Sequence, residues 1–232
     1  MRKRRKNFFK YESNLEEYPE VVTTLNTVIP EWFKKTRPWK NDKIEVFPQD
    51  TSTFKQCSSF TDSFLTGYAL TLPVDVLVTP DGPDLFTWRS NYVPLKQRMY
   101  QSNEHLPIPH GHYPIEFTWI APAALHIPDG YCLLFTHPLN RYDLPFTTLS
   151  GVIDGKFTMG AKGLLPFFFK TDFSGVIPKG TPIAQLIPFK REAWILKEEK
   201  GLIKEGAINI LKSASVLTGW YKKNIWKKKT FN

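Results

Sequence analysis

The sequence predicts an all-β domain, a sandwich or barrel of short strands, with a polar arm before it and a helix after it. Three observations predict this. Five strand-like stretches follow one another at short intervals: Ile115–Ile120, Gly130–Thr136, Phe146–Ile153, Leu164–Lys170 and Ile183–Phe189. The breaks between them carry Pro, Asp-Gly, Asn and Gly. Nineteen Pro and 13 Gly among 232 residues favour many turns over a helical bundle. Hydrophobic residues make up 41% of the chain and aromatic residues 15%, enough for a core and too many for a disordered chain.

The elements follow in order. Residues 1–20 are polar and charged and read as an arm. A short helix is expected around Val21–Thr27. Ile29-Pro30-Glu31-Trp32-Phe33 and Arg37-Pro38-Trp39 place tryptophans among prolines, which predicts an irregular, non-helical segment anchored by its rings; the competing reading is that the rings stack on a ligand. Phe60–Thr66 reads as a helical turn before Gly67. Tyr68–Val78 alternates as two half-buried strands, and Asp81-Gly82-Pro83 is a turn signal. Residues 84–114 match no regular pattern. Beyond Phe189 the texture changes, and Leu202–Lys223 has apolar positions at 203, 207, 210, 211, 214, 217 and 221, a helical stripe. The expected organisation is 1–54 as the arm with its Trp/Pro-rich segment, 55–190 as the β domain, and 191–232 as the helix with a basic, aromatic tail.

Charge is confined to the ends. The net charge is +9. Arg2, Lys3, Arg4, Arg5 and Lys6 supply five positives, and Lys222, Lys223, Lys227, Lys228 and Lys229 supply five more. Removing these ten leaves −1 for the body. A basic nucleic-acid groove in the body is therefore not expected; contact with nucleic acid is expected only through the tails. Trp220, Tyr221, Trp226 and Phe231 interleave with the C-terminal lysines, the pattern of a segment docking on a protein partner. Two cysteines, Cys57 and Cys132, are too few for a disulfide framework or a cysteine-rich zinc site. They suit a reducing compartment, the host cytoplasm or a virion. No apolar run reaches 18 residues, so no membrane span is expected, and the basic start is not followed by the apolar stretch of a secretory signal.

Two constellations could carry chemistry. His110-Gly111-His112 with Glu116 has the H-x-H-x3-E spacing of a cupin-like iron, manganese or zinc site. The competing reading is a polar loop crowded by Pro107, Pro109 and Pro114. The second constellation is His137, Asn140, Arg141 and Asp143 after the central strand, with Asp154 further on. Arg141 is the best anion contact, since a guanidinium binds phosphate or carboxylate bidentately, and His137 is a candidate acid–base group. The alternative is a structural loop in which Arg141 pairs with Asp143. No nucleophile elbow, phosphate loop or Rossmann fingerprint is present.

Three segments then occur in one order: Ile127-Pro128-Asp129-Gly130-Tyr131 running to Thr136-His137-Pro138, Gly151-Val152-Ile153-Asp154-Gly155-Lys156-Phe157, and Gly180-Thr181-Pro182-Ile183-Ala184-Gln185-Leu186. Over roughly residues 115–190 the chain resembles the dUTPase / dCTP deaminase superfamily. The resemblance implies a β-clip, a jelly-roll-like antiparallel fold commonly found as a homotrimer with ligand clefts between subunits. It implies a nucleotide or nucleotide-like ligand, with magnesium if a nucleotide is bound. Asp154 would sit at the deoxyribose and help position a catalytic water. Phe157 would stack under the sugar, His137, Asn140 and Arg141 would line the cleft, and Gln185 would be structural.

The chain departs from the family in several places. His137-Pro138 stands where the family has Arg-Ser, and proline removes a backbone donor. Lys156 replaces the second acid of the aspartate motif. Thr66-Gly67-Tyr68-Ala69-Leu70 lacks the acid of the first motif. A helix and basic tail stand where the family carries a Gly-rich closing arm. The implied state is the fold with triphosphate hydrolysis lost or altered. The alternative is a non-enzymatic phage-type structural or assembly protein. The whole chain also resembles a family of tailed phages and bacteria, through its Trp32-Phe33-Lys34-Lys35 segment, Phe60 to Gly67, Thr136 to Arg141, Leu144-Pro145-Phe146 and Trp220 to Trp226; that resemblance implies no activity.

Overall fold

The computed structural model describes residues 10–13, 15–16, 18–38, 53–98, 107–154, 158–159, 163–213, 224 and 226–227. The chain divides into two compact units, one running to Arg191 and one beginning at Glu192. The first unit holds fifteen described strands and two short α-helices. In chain order these are β1 (Lys10–Ser13), β2 (Val22–Thr24), α1 (Glu31–Lys35), α2 (Ser58–Ser63), β3 (Tyr68–Thr71), β4 (Val76–Val78), β5 (Phe86–Thr87), β6 (Leu95–Gln97), β7 (His112–Ala121), β8 (Ala123–His126), β9 (Tyr131–Thr136), β10 (Phe146–Thr148), β11 (Gly151–Asp154), β12 (Thr158–Met159), β13 (Gly163–Lys170), β14 (Gly175–Ile177) and β15 (Pro182–Lys190). The second unit contains α3 (Leu202–Ser213); the rest of the helix expected to residue 223 lies outside the described residues.

The strands form four sheets: β11-β9-β15-β3-β2, β10-β13-β7-β6, β1-β8-β12 and β14-β4-β5. Every described pairing is antiparallel, as the expected all-β class requires. Period-2 alternation sets the core. Phe117, Trp119 and Ala121 on β7 face inward with Leu165, Phe167 and Phe169 on β13. Leu133 on β9 and Ala184 and Leu186 on β15 meet them from the five-stranded sheet. Trp119 stacks on Phe167 at 3.9 Å and 9° between ring planes, with Phe146 edge-on at 4.9 Å. Each such ring pair adds about 0.5–1.5 kcal/mol beyond area burial.

Three local expectations are corrected. The stretch expected as a helix at Val21–Thr27 splits into a 3-10 turn at Pro19–Val21, strand β2 and a second 3-10 turn at Leu25–Val28. Three β-branched residues at 21–23 favour pairing with β3, which β2 does in register Val22↔Leu70. The Pro-flanked tryptophan segment does form a helix: Pro30 is the cap of α1 and Pro38 lies beyond its end, so neither ring disturbs the turn between them. Phe146–Ile153 is two strands, since β10 pairs with β13 and β11 with β9. The expected turn before Gly67 and the strands at 68–78 are present as α2, β3 and β4, although β3 is buried on both faces. Of the unassigned 84–114, residues 86–87 and 95–97 are strands and β7 begins at His112.

Two glycines are dictated by close approach. Gly67 has φ +90°, and a Cβ there would lie 2.1 Å from the Leu186 carbonyl oxygen. Gly151, the first residue of the Gly-Val-Ile-Asp stretch, lies opposite Phe135; a Cβ would meet its ring at 2.5 Å.

Candidate functional site

The loop after β9 is built around Gln185, which is 1% exposed. Its side-chain oxygen accepts a hydrogen bond from Leu139 N–H at 2.9 Å. Its amide nitrogen donates to the carbonyls of Ser63 at 3.0 Å and Thr66 at 2.6 Å. One buried amide thus ties β15 to the end of α2 and to the loop 137–143. Asn140 adds a second tie, its amide donating to Ser63 Oγ at 2.6 Å. Asn140 has φ +59°, a left-handed conformation that asparagine tolerates better than most residues.

The groups expected to meet a ligand are turned onto the chain itself. Arg141 donates to both carboxylate oxygens of Asp143, from Nε at 2.9 Å and from Nη2 at 3.0 Å, and from Nη1 to the Val28 carbonyl at 3.1 Å. Its side chain is 12% exposed. Asp143 feels opposed effects. Burial raises its pKa, but the Arg141 guanidinium, helped by a hydrogen bond from Trp32, outweighs this and holds the carboxyl below its ordinary range.

His137 has both ring nitrogens engaged. Nδ1 accepts from Thr148 N–H at 3.3 Å, and Nε2–H donates to the Arg141 carbonyl at 3.0 Å. That pairing fits only the neutral Nε2–H tautomer. Burial depresses the pKa of the imidazole below its ordinary value, against a smaller opposing effect of the Arg141 carbonyl.

The cleft beside this loop is lined by Val28, Phe64, Pro138, Leu139, Arg141 and Gln185 among others. It is narrow, with room for about one water molecule.

Asp154 sits elsewhere. It ends β11 opposite Cys132, whereas His137 follows the other end of β9. Five residues of extended strand separate Cys132 from His137, roughly 17 Å at about 3.3 Å per residue. Asp154 Oδ1 pairs with Arg191 at 3.1 Å, both side chains about two-thirds exposed (64% and 68%), and accepts from the Cys132 thiol at 3.7 Å. Within one chain, then, His137, Asn140 and Arg141 are together and Asp154 is apart. Phe157 lies outside the described residues, as do Lys156 and most of both basic tails.

The fit to a metal can be read from the donors. His112 Nδ1–H donates to the His110 carbonyl at 3.0 Å, and Nε2 meets Thr147 Oγ1 at 3.0 Å. Glu116 is buried and bound to Arg98 at 2.6 Å. His112 and Glu116 therefore have other partners, and no group of three His, Cys, Asp or Glu among the described residues, His110 included, is placed to hold an ion. Magnesium requires oxygen donors. The described carboxylate of the Gly151–Asp154 stretch, Asp154, is paired with the Arg191 guanidinium.

The sequence reading missed Lys55 and Ser63. Lys55 Nζ donates to the carbonyls of Phe33 at 2.7 Å and Lys34 at 3.1 Å and lies 4.7 Å from the centre of the Phe33 ring. It closes the C-terminal end of α1. The aromatic spacing Trp32-Phe33 with Phe60 and Phe64 is the signal that these segments belong together.

No protein-family model matches the chain, and no curated protein matches it. The solved structures similar to it include phage dUTPases. A point mutant of the Staphylococcus bacteriophage 80alpha dUTPase, solved with dUpNHpp, is 14% identical with a TM-score of 0.35, covering 84% of this chain and 89% of that one. A second mutant of the same enzyme is 15% identical with the same TM-score, covering 84% and 92%. A mutant dUTPase from phage phi11 of S. aureus, described with a structural Mg(II) ion, is 18% identical with a TM-score of 0.25, covering 46% and 96%. Identities this low transfer no activity to this chain.

No helix among the described residues is long and apolar enough to cross a membrane.

Proposed function

We propose that this protein is a non-catalytic β scaffold, a structural or assembly protein with a dUTPase-like architecture, working as a homo-oligomer. One observation carries the reading: the polar groups of the 137–143 loop are spent on their own chain. Phosphoryl transfer relies on donors and cations aimed at the phosphates. Here Arg141 is held by Asp143 and Val28, His137 has no free ring nitrogen, and Asn140 holds Ser63. Pro138 offers no N–H.

The test is release of pyrophosphate or phosphate from dUTP with Mg²⁺ at millimolar concentration, paired with light scattering after gel filtration. The scaffold reading expects release at the buffer rate and a mass of three times the 26.9 kDa chain. Turnover that Asp154→Asn abolishes would refute it.

A second reading is favoured by the exposure of Asp154 and Arg191. An exposed carboxylate beside a guanidinium suits the hydroxyl and phosphate of a nucleotide, bound without hydrolysis at a subunit boundary, with magnesium arriving on the nucleotide. It expects a melting temperature raised by deoxynucleotides and unaltered by them in Asp154→Ala. No shift with any common nucleotide at millimolar concentration removes it.

A further inference from the structure

The first unit carries a patch that neither reading above uses. α1 and the 3-10 turn Phe54–Gln56 lie side by side: Thr53 N–H donates to the Pro38 carbonyl at 3.0 Å, its hydroxyl to the Arg37 carbonyl at 2.5 Å, and Lys55 binds the end of α1. Phe54 lies on Phe60 at 5.2 Å with 26° between ring planes. Its other face is open, since the residue is 70% exposed. The ring contacts continue from Phe60 to Phe64 and from Phe64 to Trp32, which is 40% exposed. Two rings thus reach solvent at the ends of one aromatic run whose middle is packed.

Charge complements the rings. Lys34, Lys35, Arg37 and Lys55 stand on these two segments against one carboxylate, Glu31. Glu31 is paired with Lys34 at 2.6 Å. Among the described residues of these two segments the formal balance is three positives. The open Phe54 face and these cations occupy one patch. A ligand offering flat π-faces on an anionic backbone explains both. Base stacking on an exposed ring and phosphate attraction to nearby cations are the two components of sequence-tolerant single-strand binding. An acidic peptide would satisfy the cations and leave the open ring face without a partner of its own shape.

We propose that the α1 and Phe54–Lys55 patch binds single-stranded nucleic acid, with bases stacking on Phe54 and Trp32 and phosphates near Lys34 and Lys35. The inference does not depend on the proposed function.

The experiment is fluorescence anisotropy of the full chain with a labelled oligo-dT of about 20 nucleotides, against a duplex of the same length. The basic tails attract both; only the single strand can stack. Phe54→Ala is expected to weaken single-strand binding roughly 5- to 150-fold, the equivalent of one lost stack. It should leave duplex binding unchanged and the protein folded, with the melting temperature lowered only slightly by loss of the Phe54–Phe60 stack, because the Phe33–Phe60–Phe64 contacts remain. Phe54→Trp should restore binding and show its fluorescence quenched by the oligonucleotide. Lys34→Gln with Lys35→Gln should flatten the salt dependence by about one unit of slope. Equal binding of single strand and duplex, or no loss in Phe54→Ala, would overturn the proposal. So would an acidic peptide bound as tightly as oligo-dT in a Phe54-dependent way, which would make the patch a protein-docking site.

Discussion

Replacing Gln185 with glutamate tests the organisation of the loop directly. The change keeps size and shape and alters one atom. The remaining oxygen still accepts from Leu139 N–H, but the new one faces the carbonyls of Ser63 and Thr66, which only accept. Two donated hydrogen bonds become oxygen–oxygen contacts at a site 1% exposed. Each buried group left without a partner costs about 1–3 kcal/mol. The ionised variant should therefore lose about 3–5 kcal/mol, or roughly 6–20 °C in melting temperature for a domain of this size.

Protonation partly repairs the damage, because a neutral carboxyl donates to one of the two carbonyls. The folded pKa of the introduced carboxyl is thus expected above the unfolded glutamate value of about 4.3. A raised folded pKa means that the repair is complete below the unfolded pKa and is lost as pH rises through the folded one. The gap between Gln185→Glu and the unaltered protein, measured by urea unfolding, should be widest near neutral pH and narrow as the acid limit is approached. A variant as stable as the unaltered protein at neutral pH, or a gap independent of pH, would refute the assignment of Gln185 as the tie between β15, α2 and the loop.

Further outcomes follow from the same geometry. Gly67→Ala should cost more than ~3 kcal/mol and yield little folded protein, since its Cβ meets the Leu186 carbonyl at 2.1 Å on a backbone with φ +90°; circular dichroism with melting checks it. His137 should stay neutral well below its ordinary pKa of about 6.5 in an NMR titration. Its depressed folded pKa means that its contribution to stability is present above about 6.5 and is lost as pH falls through the folded value. A midpoint at or above that ordinary value would contradict the two hydrogen bonds. Asp143→Asn should remove an acid-sensitive increment of stability. The depressed carboxyl stabilises the fold above its unfolded pKa of about 3.9 and ceases to as pH falls through the folded one. The effect is small because Asp143 is 38% exposed.

The fold was legible where alternation and turn residues agreed. β7, β9, β13 and β15 lie within a few residues of the stretches read from the sequence, because each is long and bounded by Pro, Gly or Asn. The three-residue β2 was not legible, since β-branched residues at 21–23 satisfy a helical spacing as well as a strand until β3 is there to pair with them. The site was legible in part. Residues 137–143 were recognisable as one polar loop, and the local Arg141–Asp143 bridge was one of two readings of it. What the sequence could not show was the far partners. The Val28 carbonyl, Ser63 and Thr66 lie 113, 77 and 119 positions from the groups they bind, and backbone carbonyls leave no trace in residue identity. Asp154 was grouped with His137 by family motif order, and the β9–β11 register places Asp154 beside the start of β9 while His137 follows its end.

In the five-stranded sheet β15 lies between β9 and β3, although it is the last of the five to be made. β3 therefore waits for a neighbour some 110 residues downstream, and the Gln185 tie waits with it. At about 5–20 residues per second on a ribosome, the free edge of β3 stays without its permanent partner for roughly 5–25 s. Productive assembly of this sheet is thus a late event, completed only after residue 190 leaves the exit tunnel. In that interval the exposed edge of β3 needs shelter from other chains, so a truncation before residue 182 should yield aggregates and not a smaller folded domain.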